Sequence, residues 1–485
     1  MSYLNGLELH KFYRRNISQA ADYEAQQMRD AIRLTTDPDT LRAIADAEHA
    51  YGIRAPEGAT LEGKIARLTC PLFWRRQIKK RVLSARENHA AQNKRVGART
   101  GSLYIDDFTC QMIEECDRAA SERLQATTVV NTQTGETTSL LELAEAAKVG
   151  RVAEIYTMCK GLDTRAKNLG WTWCMTTLKL PGEYHPNPEN GARNYAGFTF
   201  EQMHQRLNRT WHLIRTQARN RGIDIMGLRV SEPHRDGTPH AHIVVYMDPA
   251  HRADWEELVE QYAPGHQSDF SWCRSSSEGP VANSASYLLK YVVKAVATDN
   301  KHLDKLTPEQ REELRDHITP RVIMKRRAHG WRAYQFFGIK SSMTSWRLMR
   351  SAADLPLANP TARALRSAAL QGDAATWLEI LNSEHAPALR PVWQETGDLG
   401  RYGEPILELQ GTALVSHDGD ILELIPRQKV YEIALDEGEG DAEKAHRDWV
   451  FAVISNCARG GGIEIGADPY DEPPRRPDRL LKRAE

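Results

Sequence analysis

No apolar run in these 485 residues approaches the ~20 needed to cross a bilayer. The opening stretch, MSYLNGLELHKFYRR, lacks the apolar block of a secretion signal. Cysteine is scarce and ill-placed for cross-linking. The seven (Cys70, Cys110, Cys116, Cys159, Cys174, Cys273, Cys457) are scattered, odd in number and never spaced Cys-x-x-Cys. This argues against a disulfide framework or a zinc ribbon, and most read as small buried apolar residues. A dominant charge is missing too: 64 Lys and Arg stand against 65 Asp and Glu, a formal net charge of −1, which argues against a histone-like binder. No internal repeat is visible. The expectation is a cytosolic chain without a membrane partner, too long for one ordinary domain and closer to three.

What charge there is lies in patches. Between Cys70 and Gly101 nine Lys/Arg face the single acid Glu87, and from Pro320 to Arg350 eight face none. Two basic islands on a neutral chain suggest a localised polyanion site, with a plain solvated helix face as the competing explanation for either alone. Residues 1–168 read as helical, the clearest helix running from Leu72 to Asn93 with Thr69 as cap and Pro71 in its first turn. The texture changes at Trp171. WTWCMTTLKL reads as a strand, Thr199 to Asn220 as a helix, and GIDIMGLRVSE and HAHIVVYM as two strands around the Asp-Gly turn RDGTP. A helix from Ala250 to Tyr262, a short strand near Phe270 to Arg274 and a helix from Ser284 to Thr298 follow. Beyond residue 350 come helices (Pro360 to Asn382), the strand-like pieces EPILELQGTALVS and GDILELIP, and a Pro/Arg-rich tail. The order implies an α+β fold: a central, mostly antiparallel sheet backed by helices, with a helical N-terminal region and a small mixed C-terminal region. The expected divisions are 1–168, 169–348 and 349–485.

Within PHAHIVVYM, His240 and His242 are two apart on a strand, so both imidazoles point to one face and can converge on one cation. Across the hairpin, Glu232 and His234 also share a face. Whether the two faces coincide depends on loop parity: a two- or four-residue loop opposes them, and a three- or five-residue loop or a bulge aligns them. In SYLLKYVVKAV, stepping 100° per residue from Tyr287 puts Tyr291 at about 40° and Lys294 at about 340°. Asn283, Ser284 and Lys290 flank them, while Leu288, Leu289, Val292, Val293 and Val296 fill the opposite arc. The helix thus has an apolar face to bury without its tyrosines, although aromatic cover at an interdomain contact would give the same pattern. Two phenols one turn apart beside a lysine suit transesterification at a phosphodiester. A tyrosine oxygen attacks phosphorus, the 3′-hydroxyl leaves, and the 5′-phosphate stays on the protein. The lysine balances developing charge.

These motifs in this order resemble the HUH endonucleases, and within them the phage replication gene A protein family. WTWCMTTLKLPGEYHP is similar to the first strand motif, EPHRDGTPHAHIVVYM to the His-hydrophobic-His motif with Ala241 as its small middle residue, and SYLLKYVVK to the Tyr-xxx-Tyr-xx-Lys motif. CPLFWRRQIKKRV and HGWRAYQFFGIK resemble two further segments, so the likeness covers roughly residues 70 to 340. It implies an HUH/RRM-like sheet and a site-specific single-strand nickase that initiates rolling-circle replication of a phage genome in the bacterial cytoplasm. Tyr287 and Tyr291 would be the nucleophiles, assisted by Lys294, and His240 and His242 would bind Mg²⁺ or Mn²⁺. Glu232 is expected as third ligand ahead of His234, because a carboxylate suits a hard ion. The implied partners are single-stranded origin DNA and a host replicative helicase, although the chain is short for the family and its terminal regions match least. Trp74 with Arg75 and Arg76, and Trp331 with Arg332, are candidates for stacking bases and meeting phosphates. A plasmid mobilisation relaxase and a non-catalytic origin-binding protein are the alternatives.

Overall fold

The computed structural model describes residues 9–434 except 59, 98–100, 192, 274–283, 316, 318, 341–342, 355 and 429. It also omits the side chains of 284–288, 295, 302 and 313. Asn283, Arg99, the acidic LDEGEGDAEKAHRD segment from residue 435, Cys457 and the C-terminal tail lie outside the described residues.

The N-terminal region is built from α1 (Arg14–Arg33), α2 (Pro38–Asp46), α3 (Leu61–Leu68), α4 (Pro71–Gln92) and α5 (Asp107–Ala126). Two short strands, β1 (Thr128–Asn131) and β2 (Thr137–Ser139), then lead into the long α6 (Leu140–Asn168). The region is helical as expected, with two short strands added: Val129 is buried against Leu124 and Leu140, and the late strand β11 (Tyr431–Ile433) pairs with β1. The expected helix starts at Pro71 as anticipated, but its cap is Cys70, not Thr69. Thr69 instead closes the preceding helix, its hydroxyl donating to Ile65 O.

The centre is a five-stranded sheet in the order β6-β3-β5-β4-β7, every pair antiparallel. Its strands are β3 (Thr172–Leu178), β4 (Ile225–Pro233), β5 (Pro239–Met247), β6 (Ser268–Trp272) and β7 (Tyr334–Phe337). Between them lie α7 (Phe200–Asn220), α8 (Arg252–Tyr262), α9 (Ser284–Val296), α10 (Pro308–Arg315) and α11 (Pro320–His329). Alternation along the strands gives the sheet two buried faces. Leu178, Ala241, Ile243 and Val245 pack under α7 and α8, which present Phe200, Met203, Leu207, Trp211 and Trp255. Trp173, Met175, Leu228, Val230, Val244 and Tyr246 face the other way, against Ile155, Met158 and Leu162 of α6 and Val292 of α9.

That second cluster continues into α12 (Met343–Arg350), α13 (Pro360–Gln371) and α14 (Ala374–Leu381) through Trp346, Leu365 and Trp377. It ends at Leu414 and Ile425, on two of the strands of a separate three-stranded sheet: β8 (Ala388–Leu399), β9 (Pro405–Val415) and β10 (Ile421–Pro426). One core therefore runs through all three stretches expected as separate regions. No helix among the described residues is long and apolar enough to cross a membrane.

Candidate metal and tyrosine site

Register decides the parity question. Glu232 pairs directly with His240 and Pro233 with Pro239, leaving five residues in the loop, so Glu232, His240 and His242 share one face of the sheet. The loop owes its shape to the Asp-Gly turn. Gly237 has φ +86°, the left-handed region that glycine enters without steric cost, and a Cβ there would meet Lys325 and Phe200. Asp236 accepts from Thr238 N at 3.1 Å and also meets His185 Nδ1 at 2.9 Å.

The candidate ligand atoms of Glu232, His240 and His242 all lie within 4.8 Å of one another. The two Nε2 atoms stand 2.9 Å apart. Two imidazole nitrogens so placed either share a proton or turn both lone pairs toward one cation, and ligands at right angles around an ion with ~2.1 Å bonds are separated by roughly 3 Å. Glu232 Oε1 is buried with no hydrogen-bond partner, as is His240 Nδ1. His242 Nδ1 lies 3.2 Å from Thr177 Oγ1, a contact that, with Nδ1 protonated, leaves Nε2 as the free acceptor. The unpartnered Glu232 oxygen and the two convergent Nε2 atoms fit a divalent cation.

Electrostatics point the same way. Burial, followed by the positive charge of Lys294, pushes His242 down to about 3, and burial holds His240 well below its ordinary value. Both rings are therefore neutral at physiological pH, the state in which imidazole ligates. The 3.9 Å approach of His242 to Glu232 is accordingly no ion pair. Burial raises the Glu232 carboxyl, opposed by Lys294, 3.8 Å away, and by Arg326.

The helix α9 brings the phenol. Its apolar arc is buried as the helical wheel anticipates, Leu289 and Val293 against Val152 and Leu314. The opposite arc faces the sheet: the Tyr291 ring lies 4.1 Å from the His242 ring, and Lys294 Nζ is 5.4 Å from the Tyr291 centroid. Tyr287 is on the same helix one turn earlier, and its side chain lies outside the described residues.

Behind the triad stand His234, the lesser candidate for third ligand, and two residues that sequence reasoning did not single out, His185 and Asp236. His234 stacks on His240 at 4.0 Å, and His185 meets His234 at 5.1 Å, forming a line from Asp236 to the triad. Asp236 and His185 both fall inside motifs already quoted, so the signal existed. Arg326 had none beyond its place in a basic island.

The expected nucleic-acid contacts divide. Trp74 is fully buried and its indole N–H donates to Leu68 O at 2.7 Å, so it offers no open face for a base. Arg76 is buried as well, while Arg75 stays half-exposed. Trp331 is buried between His204 and His329, which also removes it as a stacking platform, whereas Arg332 is exposed. Much of the second island is committed internally: Arg321 to Asp107, Lys325 to Glu87, Arg327 to Asp117 and Arg347 to Glu154.

Comparison with known proteins places this geometry in context. The family profile described as bacteriophage replication gene A protein (GPA) matches residues 8–299. The replication protein of Haemophilus phage HP1 (strain HP1c1) is 26% identical over 432 residues, covering 82% of this chain and 54% of that protein. The replication gene A protein of Escherichia phage 186 is 28% identical over 285 residues, 54% of this chain and 40% of the relative. A probable replication endonuclease from a prophage-like region of Shigella boydii serotype 4 (strain Sb227) is 24% identical over 422 residues, 79% and 51% respectively. The chain thus spans about half the length of the curated relatives it matches. No solved structure matches it. With more than half its length matched by the profile, the chain belongs to the bacteriophage replication gene A protein family.

Proposed function

We propose that this protein initiates phage DNA replication by nicking and rejoining a single strand through a tyrosine-linked intermediate. The observation that carries the reading is the Tyr291 ring tilted against the His242 ring, centroids 4.1 Å apart, beside three candidate ligand atoms that lie within 4.8 Å of one another. The relatives' names, replication gene A protein and replication endonuclease, support the same biological setting.

Glu232, His240 and His242 would hold Mg²⁺ or Mn²⁺, and a cation bound there polarises the scissile phosphate. The Tyr291 oxygen attacks phosphorus as its proton departs. The bond to the 3′-oxygen breaks, that oxygen leaves as a hydroxyl, and the 5′-phosphate becomes esterified to tyrosine. Lys294, within reach of both Tyr291 and Glu232, offsets negative charge that builds on the phenolate and the phosphate oxygens. Tyr287, one turn away, is the second nucleophile: one tyrosine keeps a DNA end while the other opens or closes the next linkage. Attack by a free 3′-hydroxyl on the phosphotyrosine reverses the first step and reseals the strand.

The test is adduct formation. With a single-stranded origin oligonucleotide and Mn²⁺, the full chain should leave a protein–DNA species that survives denaturation, and changing Tyr287 and Tyr291 together to Phe should abolish it. An adduct that persists in the double variant overturns the nucleophile assignment. Salt-sensitive binding without cleavage under any divalent ion would select a non-catalytic origin binder.

A further inference from the structure

The face of the sheet turned away from the triad carries a cluster of charge that the tyrosine chemistry does not use. Arg229 lies on β4, opposite Gln335 of β7, and points to the α7 side, away from Glu232 and Val230. It lines a cleft of about 300 Å³ together with Arg215 and His204 of α7, Ser231, Gln335 and Arg332. The cleft's lining contains no acid, and no carboxylate among the described residues pairs with any of the three arginines.

Arg229 is only 7% exposed, and two of its nitrogens, Nε and Nη2, are buried with no hydrogen-bond partner. A guanidinium held this way violates the rule that buried charges are paired. Burial, then the neighbouring charges of Arg332 and Arg215, brings its pKa down to about 10, so it stays charged at physiological pH. The surroundings are firm. Arg215 lies over the Phe337 ring, and His204 stacks on Trp331 while contacting Asn208. Burial and Arg229 push His204 down to about 4, which leaves it neutral.

We propose that this cleft is a phosphate-binding site, separate from the triad and on the reverse side of the sheet. Three guanidinium groups suit an anion with several acceptor oxygens, because each planar fork can donate two parallel hydrogen bonds to a phosphate. A carboxylate offers two oxygens and a single charge, too few for three forks. The volume sits at the lower end of ligand-sized clefts and admits a phosphate with part of what it is attached to. The phosphate comes either from a nucleic-acid backbone passing the β7 edge or from a small phosphate such as a nucleotide's. The inference does not depend on the tyrosine chemistry.

Two probes separate the sources, both applied to the full chain in the presence of a chelator. Inorganic pyrophosphate should raise the thermal midpoint of the unaltered protein in a dose-dependent way, and Arg229→Met and the pair Arg215→Ala with Arg332→Ala should lose that protection. A labelled thymidine oligonucleotide reads the backbone source: in the paired variant the salt dependence of log affinity should flatten by about 0.7 for each phosphate the protein no longer neutralises. Lost protection with an unchanged slope assigns a small phosphate, and a flattened slope assigns the backbone. The unliganded midpoint of Arg229→Met should equal or exceed that of the parent, because the substitution removes an uncompensated buried charge. Equal protection, or none, in all forms together with an unchanged slope overturns the site. A lowered midpoint in Arg229→Met alongside intact protection marks the arginine as merely structural. Neither arm reads cleavage, so failure here and failure of the nicking assignment are distinguishable.

Discussion

At the scale of single residues, the proposed metal site has a hydroxyl beside it that is not among the candidate ligands. Thr177 Oγ1 lies 3.2 Å from His242 Nδ1, and where that nitrogen carries the proton the hydroxyl accepts its hydrogen bond and leaves Nε2 to face a cation. Groups that orient a ligating imidazole commonly account for 10- to 100-fold in metal affinity. Thr177→Val, which keeps the shape of the side chain, should therefore weaken Mn²⁺ binding by about tenfold in calorimetry without altering the thermal midpoint. Glu232→Gln removes the carboxylate of the proposed ligand set outright and should cost more. Equal Mn²⁺ affinities in parent and Thr177→Val would show that the contact does not steer the ring. His242, lowered to about 3, offers protons little competition for the cation above pH 5. The HxH pair and the Tyr-xxx-Tyr-xx-Lys spacing made the candidate ligands and phenols readable in the sequence. The third ligand was less so, because its face depended on a loop length that only the register resolves.

At the scale of elements, helix α4 shows why basic islands mislead. Its buried side chains, Phe73, Trp74, Arg76, Ile78, Val82, Arg86 and Glu87 among them, lie all around the helix, so no polar face was available to mark an outer surface. Arg86 donates to Phe12 O and Arg81 to Tyr51 O. The charges of the second island find partners more than 190 residues away in the chain, as in Arg347 with Glu154 and Lys325 with Glu87, pairings that local patterns do not encode. The pair Lys325–Glu87 is wholly buried at 2.8 Å, with the ammonium 3.1 Å from the Phe200 ring centroid. It ties α11 to α4. Glu87→Gln should destabilise the protein by about 3–5 kcal/mol in urea unfolding, because it strands a buried cation. Changing both partners to apolar residues of similar size should cost much less. A Glu87→Gln midpoint equal to the parent's would mean the lysine finds another partner or gives up its proton.

At the scale of the whole molecule, buried histidines set the pH range of stability. His204, His234 and His242 are lowered to about 4, 4 and 3, mainly by burial, and His240 and His329 lie well below their ordinary value. In the unfolded chain each binds a proton near pH 6.5, while in the folded protein His204 and His234 resist until about pH 4 and His242 until about pH 3. Between those limits the unfolded state holds more protons, so stability falls as pH falls, by up to about 1.4 kcal/mol per pH unit for each such histidine. The urea midpoint should drop markedly from pH 7 to pH 5, and a flat profile would contradict these environments. The sheet's long strands were legible from β-branched and aromatic richness and turn signals, and the helices from helical spacing. The continuity of the core was not, since residues far apart in the chain meet only in three dimensions.

That continuity constrains how such a gene can be shuffled. A recombination junction at residue 169 would part Ile155, Met158 and Leu162 from Trp173 and Met175, baring an oily surface on both products. A junction ahead of Ser139, which caps α6 through Glu142 N, keeps the helix with its sheet. That junction in turn cuts Lys325 from Glu87 and Arg327 from Asp117, so an exchangeable unit has to reach back through α4 and run on to about Pro426, where the same apolar seam closes.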